Sequence, residues 1–265
     1  MPDRPVPDLG WDAADVAVAD AVAACHSALG RPVLVGLAGA QGSGKSTMAP
    51  RIAALLAEKG LGTAILALDD FYLTREKRKA LAETVHPLLA TRGVPGTHDI
   101  GLLTRAFDAL LAGQSAIVPR FDKGSDDRTG TRTVAGPVDV VLLEGWCIGA
   151  RAQTDAALVE PVNALERDED ADGTWRRWVN RRLATDYAAL FDRIDLRILL
   201  RAPDFAVVER WRCEQEAHLG LRGMTSEQIT RFVQHYERVT RAMLAEEPAD
   251  LIVDQSPDRV PVAIR

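Results

Sequence analysis

Lys45 and Ser46 close a glycine-rich run, Gly39-Ala-Gln-Gly-Ser-Gly44-Lys45-Ser46-Thr47, between the apolar stretch Val33 to Ala38 and a helix-compatible stretch from Thr47 to Lys59. Gly39 and Gly44-Lys45-Ser46 stand at the spacing of a phosphate-binding loop, in the strand–loop–helix setting that motif requires. Gly39, Gly42 and Gly44 allow positive φ and close backbone approach, so successive amides can surround phosphate oxygens. The helix N-terminus behind them adds unpaired donors and the positive end of a dipole. Lys45 brings a point charge to the β- and γ-phosphates, and the Ser46 hydroxyl is a ligand for Mg²⁺. Gln41, Ser43 and Thr47 complete the set of residues expected to touch a bound nucleoside triphosphate.

Carboxylates at the ends of two further apolar runs add a second kind of chemistry. Asp69 and Asp70 follow Thr63 to Leu68, and Glu144 follows Val138 to Leu143. A carboxylate beside a phosphate loop can hold Mg²⁺ through water or orient a nucleophile, and another can take the proton of an acceptor hydroxyl. The chain has no Asn-Lys-x-Asp base reader of GTPases and no Leu-Ser-Gly-Gly-Gln signature of transport ATPases. Asp-x-x-Gly occurs at Asp127 and Asp170, both in polar stretches, and carries little information.

The elements that must position these groups alternate. Trp11 to Leu29, Leu102 to Leu111, Trp175 to Phe191, Phe205 to Leu219 and the segment after Thr225 read as helices, the last with a Thr225–Gln228 capping box. Ile194 to Leu200 and Leu251 to Val253 read as further strands. Alternation of this kind implies a parallel sheet covered by helices on both faces, with ligands beyond the strand C-termini. Residues 73–100 and 119–137 read as irregular excursions forming a small substrate lobe, residues 1–10 as a loose tail, and Glu166 to Gly173 as a solvated acidic loop. One domain over 1–265 is expected, of α/β class with the P-loop NTPase fold.

With 265 residues and 47% hydrophobic composition the chain can bury a large core, and a net charge of −6 argues against a broad nucleic-acid surface. Cys25, Cys147 and Cys213 are too few and scattered for a disulfide framework or zinc site. No apolar run approaches the ~18 residues of a membrane span, and the polar, proline-rich start lacks a signal-peptide core. A cytoplasmic protein with a small-molecule substrate, and neither nucleic acid nor membrane as partner, is the expectation; oligomeric state is left open.

An ordered series of segments resembles the P-loop D-glycerate 3-kinase family, which is related to phosphoribulokinase, uridine kinase and bacterial pantothenate kinase. The series comprises the phosphate loop, Leu68-Asp-Asp-Phe-Tyr-Leu73, Arg92-Gly-Val-Pro-Gly-Thr-His-Asp99, Phe121-Asp-Lys123 with Asp127-Arg128, Leu143-Glu-Gly-Trp146, Trp211-Arg212 with Gln215-Glu216, and Met224-Thr with Phe232-Val. The family usually has a longer insert where only Gly124-Ser-Asp126 intervenes here.

The resemblance implies a kinase that uses ATP and Mg²⁺. Asp69 matches the catalytic aspartate, with Asp70 and Tyr72 beside it as candidate substrate contacts. Arg92, His98 and Asp99 match the acceptor-binding loop, and Asp122, Lys123 and Arg128 a second substrate loop. Arg210 and Arg212 fall where these kinases carry a phosphate-closing lid, and Ser46 and Glu144 are the candidate Mg²⁺ positions. The implied reaction is transfer of the γ-phosphoryl to a small anionic acceptor, with D-glycerate first. The alternatives are a nucleoside- or pantothenate-like acceptor, or a nucleotide-sensing protein without catalysis.

Overall fold

The computed structural model describes residues 9–217 and 225–265. Helix α1 (Trp11–Leu29) leads into β1 (Val33–Gly39), the phosphate loop and α2 (Lys45–Glu58). β2 (Thr63–Ala67) follows, then α3 (Arg75–Thr84) and α4 (Ile100–Leu111). β3 (Ala116–Asp122) and β4 (Asp127–Val134) pair as a separate antiparallel hairpin before β5 (Val140–Gly145). α5 (Ala164–Glu169) is followed by α6 (Thr174–Arg182), which runs through a π turn (Leu183–Tyr187) into α7 (Ala188–Phe191). β6 (Leu196–Arg201), α8 (Ala206–Ala217), α9 (Ser226–Glu246), β7 (Leu251–Gln255) and β8 (Pro261–Ile264) complete the described chain. The C-terminal end of the expected 205–219 helix, and Met224, lie outside the described residues.

The main sheet has the order β2-β5-β1-β6-β7-β8. Its first five strands are parallel and β8 alone runs antiparallel, to β7. β1 and β5 are buried at every position, as continuous apolar strands covered on both faces must be. One face packs against α1 and α2 through Val18, Val22, Met48, Ile52 and Leu56. The other packs against α4, the π turn and α9 through Phe107, Leu110, Tyr187 and Val239. Register then places the chemistry. Glu144 on β5 lies level with Leu37 on β1 and Ala67 on β2, so the phosphate loop, Asp69 and Glu144 all emerge at one edge.

Three local expectations are corrected. Residues 73–100 contain a three-turn helix, α3, capped by Thr74 and hidden from periodicity analysis because its buried side chain is Arg78 rather than an apolar stripe. The stretch 119–137 is largely hairpin, with β4 half-buried or exposed until Val134. The 166–173 segment is no solvated loop: Glu166 and Asp170 are buried, paired with Arg238 and Arg176 respectively. Buried carboxylates are satisfied by charge partners, here arginines distant in sequence or beyond a turn.

Candidate active site

A cleft of about 520 Å³ lies over the phosphate loop. Gly42 and Gly44 both have left-handed φ, 77° and 94°. A Cβ on Gly42 would sit 2.7 Å from that of Trp211, and one on Gly44 would sit 3.0 Å from the Trp11 ring. Both close approaches and both conformations therefore demand glycine. Gln255 donates through Nε2 to the Ser43 carbonyl at 2.8 Å, fastening the loop to the end of β7. Gly44 caps α2 without any side chain accepting from the first turn, which leaves helix-terminal donors for an anion. Gln41 Oε1 and Ser43 Oγ are buried with no hydrogen-bond partner among the described residues.

Opposite the loop stands Asp69, in a 3-10 turn (Leu68–Phe71) that continues β2. Its Oδ1 accepts from the Tyr72 hydroxyl at 2.7 Å, and its Oδ2 pairs with Lys123 Nζ at 2.7 Å. Burial pushes this carboxyl upward, but Lys123, Lys45 and the Tyr72 bond outweigh it and hold Asp69 well below the usual carboxylate range. Glu144 differs. Its burial dominates over the attraction of Lys45 and raises its pKa, while its Oε1 accepts from Ser46 Oγ at 2.9 Å. A hydroxyl and an incompletely compensated carboxylate side by side form an oxygen donor set suited to a hard divalent cation.

The wall beyond Asp69 comes from elements whose role sequence patterning did not expose. Trp146, Phe232 and Tyr236 line it together with Arg92, Lys123 and Arg212. Trp146 Nε1 donates to the Gly93 carbonyl at 2.9 Å and the Tyr236 hydroxyl donates to the Arg92 carbonyl at 3.0 Å. These two bonds clamp the 92–99 loop to the sheet and to α9. Arg78 donates to the carbonyls of Leu73, Ala90 and Asp126, tying α3 and the loop to the hairpin tip. The one signal for this clamp was Gly93 inside an otherwise polar loop: a Cβ there would lie 1.9 Å from the Tyr236 hydroxyl oxygen.

Of the expected residues, Gln41 through Thr47, Asp69, Tyr72, Arg92, Lys123, Glu144 and Arg212 line the cleft. Gly39 lies beneath it, packed on Ser43 and Leu200. The polar atoms of the others are directed elsewhere. Arg128 donates to the carbonyls of Tyr72 and Phe71 and pairs with Asp99 at 3.4 Å. Asp99 caps α4 by accepting from Leu102 N. Asp70 accepts from Phe121 N at 3.4 Å and faces Arg132. Its displacement from Asp69 follows from the 3-10 turn, not from the alternation of an extended strand as expected. Asp122 holds the hairpin turn through Gly124 N and Ser125 N. His98 is buried, stacked on Tyr72 at 4.7 Å, with Nδ1 2.5 Å from the Tyr187 hydroxyl. Arg210 donates to the Pro257 carbonyl, outside the cleft.

Fold and site together define a P-loop phosphotransferase: a parallel sheet with a phosphate loop after β1, two strand-end carboxylates and a cationic lobe. Comparison with known proteins narrows the class. The chain is 35% identical over 222 residues to the uncharacterized kinase mug58 of Schizosaccharomyces pombe, covering 78% of this chain and 79% of that one. It is 30% identical over 245 residues to the chloroplastic D-glycerate 3-kinase of Arabidopsis thaliana, covering 86% of this chain and 51% of that protein. The D-glycerate 3-kinase of Cryptococcus neoformans superposes with a TM-score of 0.82 at 28% identity, over 96% of this chain and 99% of the other. The family model for the methylmalonyl-CoA mutase-associated GTPase MeaB matches residues 13–72, the unit built around the phosphate loop. The chain belongs to the P-loop D-glycerate 3-kinase family and is an ATP-dependent phosphotransferase. No helix among the described residues is long and apolar enough to cross a membrane.

Proposed function

We propose that this kinase phosphorylates a hydroxyl of a small anionic hydroxy acid, with D-glycerate as the acceptor, and that it works in the cytoplasm with Mg·ATP. The carrying observation is the Asp69–Lys123 pair at 2.7 Å inside the same cleft as Arg92 and Arg212. An acceptor carboxylate can engage these cations while its hydroxyl approaches Asp69. The relatives named D-glycerate 3-kinase support the choice of acid.

Lys45 neutralises charge on the β/γ-phosphates, and Arg212 closes over the transferring phosphoryl. Mg²⁺, held by Ser46 with Glu144 alongside, would neutralise developing charge between phosphates. Asp69 accepts the hydroxyl proton as the oxygen attacks phosphorus. While Lys123 is paired to it, Asp69 is a weak base. An acceptor carboxylate that draws Lys123 away removes both the largest charge attraction and a hydrogen bond, so basicity rises when acceptor is present. The loose transition state needs positioning and charge neutralisation above all.

A nucleoside acceptor fits less well, because the aromatic rings nearest Asp69 are already packed against other rings. Tyr72 is covered by His98 and edged by Phe121, and Trp146 meets Tyr236 edge-on at 4.8 Å. An ADP-release screen over hydroxy acids, sugars, nucleosides and pantothenate tests the reading. D-glycerate should be the strong hit; silence with every hydroxy acid would overturn it.

A further inference from the structure

The cleft extends past the phosphate loop in the direction away from Asp69. In the sheet order, β5 and β2 lie on one side of β1 and carry Glu144 and Asp69. β6, β7 and β8 lie on the other side, and the turn between β7 and β8 brings Asp258, Arg259 and Val260 to the cleft rim. Leu9 N and Gly10 N both donate to the Pro261 carbonyl, at 2.9 and 3.2 Å, which sets the start of α1 beside this turn. Trp11 follows immediately and lines the cleft next to Gly44, with the Arg51 guanidinium over its ring at 5.1 Å. Arg51 is itself held by Asp15, so the indole is fixed in place. A triphosphate whose γ end faces Asp69 and Glu144 must direct its nucleoside to this end.

The turn also has a hydrogen-bonding bias. Asp258 N and Val260 N donate to Ser256 Oγ, and Arg259 N donates to the Ser256 carbonyl. The amides of the turn are thus consumed within it, while its Asp258 and Arg259 carbonyls accept no hydrogen bond among the described residues. An exocyclic amine matches such acceptors, whereas a carbonyl oxygen at the same purine position meets like with like.

We propose that Trp11 and the 258–260 turn form the base subsite, the indole stacking on the purine and the turn carbonyls accepting its 6-amino group. The inference rests on the cleft being the ATP site. Its test uses nucleotide binding without any acceptor, so an error in the acceptor assignment would leave it standing.

The measurement is calorimetric binding of ATP, inosine triphosphate and inorganic tripolyphosphate, each with Mg²⁺, to the full chain and to Trp11→Ala and Trp11→Phe. Stacking of one base on an aromatic ring implies about ten- to hundredfold weaker ATP binding for Trp11→Ala, near-normal binding for Trp11→Phe, and unchanged tripolyphosphate binding for both. Equal losses for ATP and tripolyphosphate in Trp11→Ala would overturn the stacking role, since Trp11 would then merely support Gly44. The unaltered chain should bind inosine triphosphate at least tenfold more weakly than ATP. Equal affinity for the two would overturn the reading of the amine, and this comparison stands even if Trp11→Ala fails to fold.

Discussion

Asp69 Oδ2 and Lys123 Nζ meet at 2.7 Å although one follows a sheet strand and the other sits at the tip of a separate hairpin. The β3–β4 hairpin therefore completes the cleft, and its turn delivers a cation to Asp69. Lys123 remains 59% exposed, so the pair can part when an anion arrives. Lys123→Ala should raise the acceptor KM about ten- to hundredfold, from loss of a charge-assisted bond, with little change in the ATP KM. It should also move the acid limb of the kcat/KM profile to higher pH. Lys123 lowers the Asp69 pKa, so its removal lets the carboxylate protonate at a higher pH. Steady-state kinetics across pH would show both effects, and a selective ATP defect would place Lys123 on the nucleotide side.

Asp69→Asn keeps the shape and removes the proton acceptor. Loss of a general base costs about 10²–10⁴ in rate, so kcat should fall at least a hundredfold while Mg·ATP binding stays near normal by calorimetry. Asp70→Asn should be milder and act through the hairpin, because Asp70 holds Phe121 N and faces Arg132. A larger kcat loss for Asp70→Asn would reassign the base.

Arg128 should behave as a positioning residue. Its guanidinium donates to the carbonyls of Tyr72 and Phe71, next to the residue that bonds Asp69. Arg128→Ala should destabilise the fold by about 1–3 kcal/mol in denaturant titration, and lower kcat by loosening Tyr72. Arg128→Lys should rescue little, since a point charge lacks the planar fork. A pure acceptor-KM effect with unchanged stability would return Arg128 to the substrate.

What could be read from the residues alone follows from the range of the interactions. The phosphate loop, strand ends and Thr225 cap are local patterns in which each residue's neighbours in sequence are its neighbours in space. The hairpin and α3 were missed because their stabilising contacts are remote: Arg78 reaches Asp126, and Arg132 reaches the Ile65 carbonyl. Arg128, His98 and Asp99 carried the right chemistry for substrate but are committed to carbonyls, a helix cap and Tyr187. Residue type cannot distinguish these fates, because a guanidinium bonds backbone carbonyl and carboxylate alike. Trp11, Arg259 and Val260 reach the cleft through the turn between β7 and β8, and the short run Val260-Pro-Val-Ala-Ile264 does not by itself announce an antiparallel return against β7.

The two buried histidines should make stability fall as pH drops below their ordinary range. His98 and His235 are each held at a pKa of about 4 by burial. The Tyr187 hydroxyl oxygen accepts from Gly96 N and lies 2.5 Å from His98 Nδ1, and His98 Nε2 is buried without a partner among the described residues. His235 Nδ1 bonds the Arg231 carbonyl, and its Nε2 is likewise buried and unpartnered. A second proton on either ring would thus place a charge in a buried site where one ring nitrogen has no partner among the described residues. In the unfolded chain both rings titrate near the ordinary value of about 6.5. Between about pH 6.5 and 4 the unfolded state therefore binds protons that the native state refuses. Stability falls as pH drops through that window, by at most about 1.4 kcal/mol per pH unit for each ring. Urea titrations at stepped pH should show the midpoint declining below pH 6.5, and His98→Gln with His235→Gln should flatten that decline. An unchanged pH slope in the double variant would mean that the two rings take up protons in the native protein as readily as in the unfolded chain.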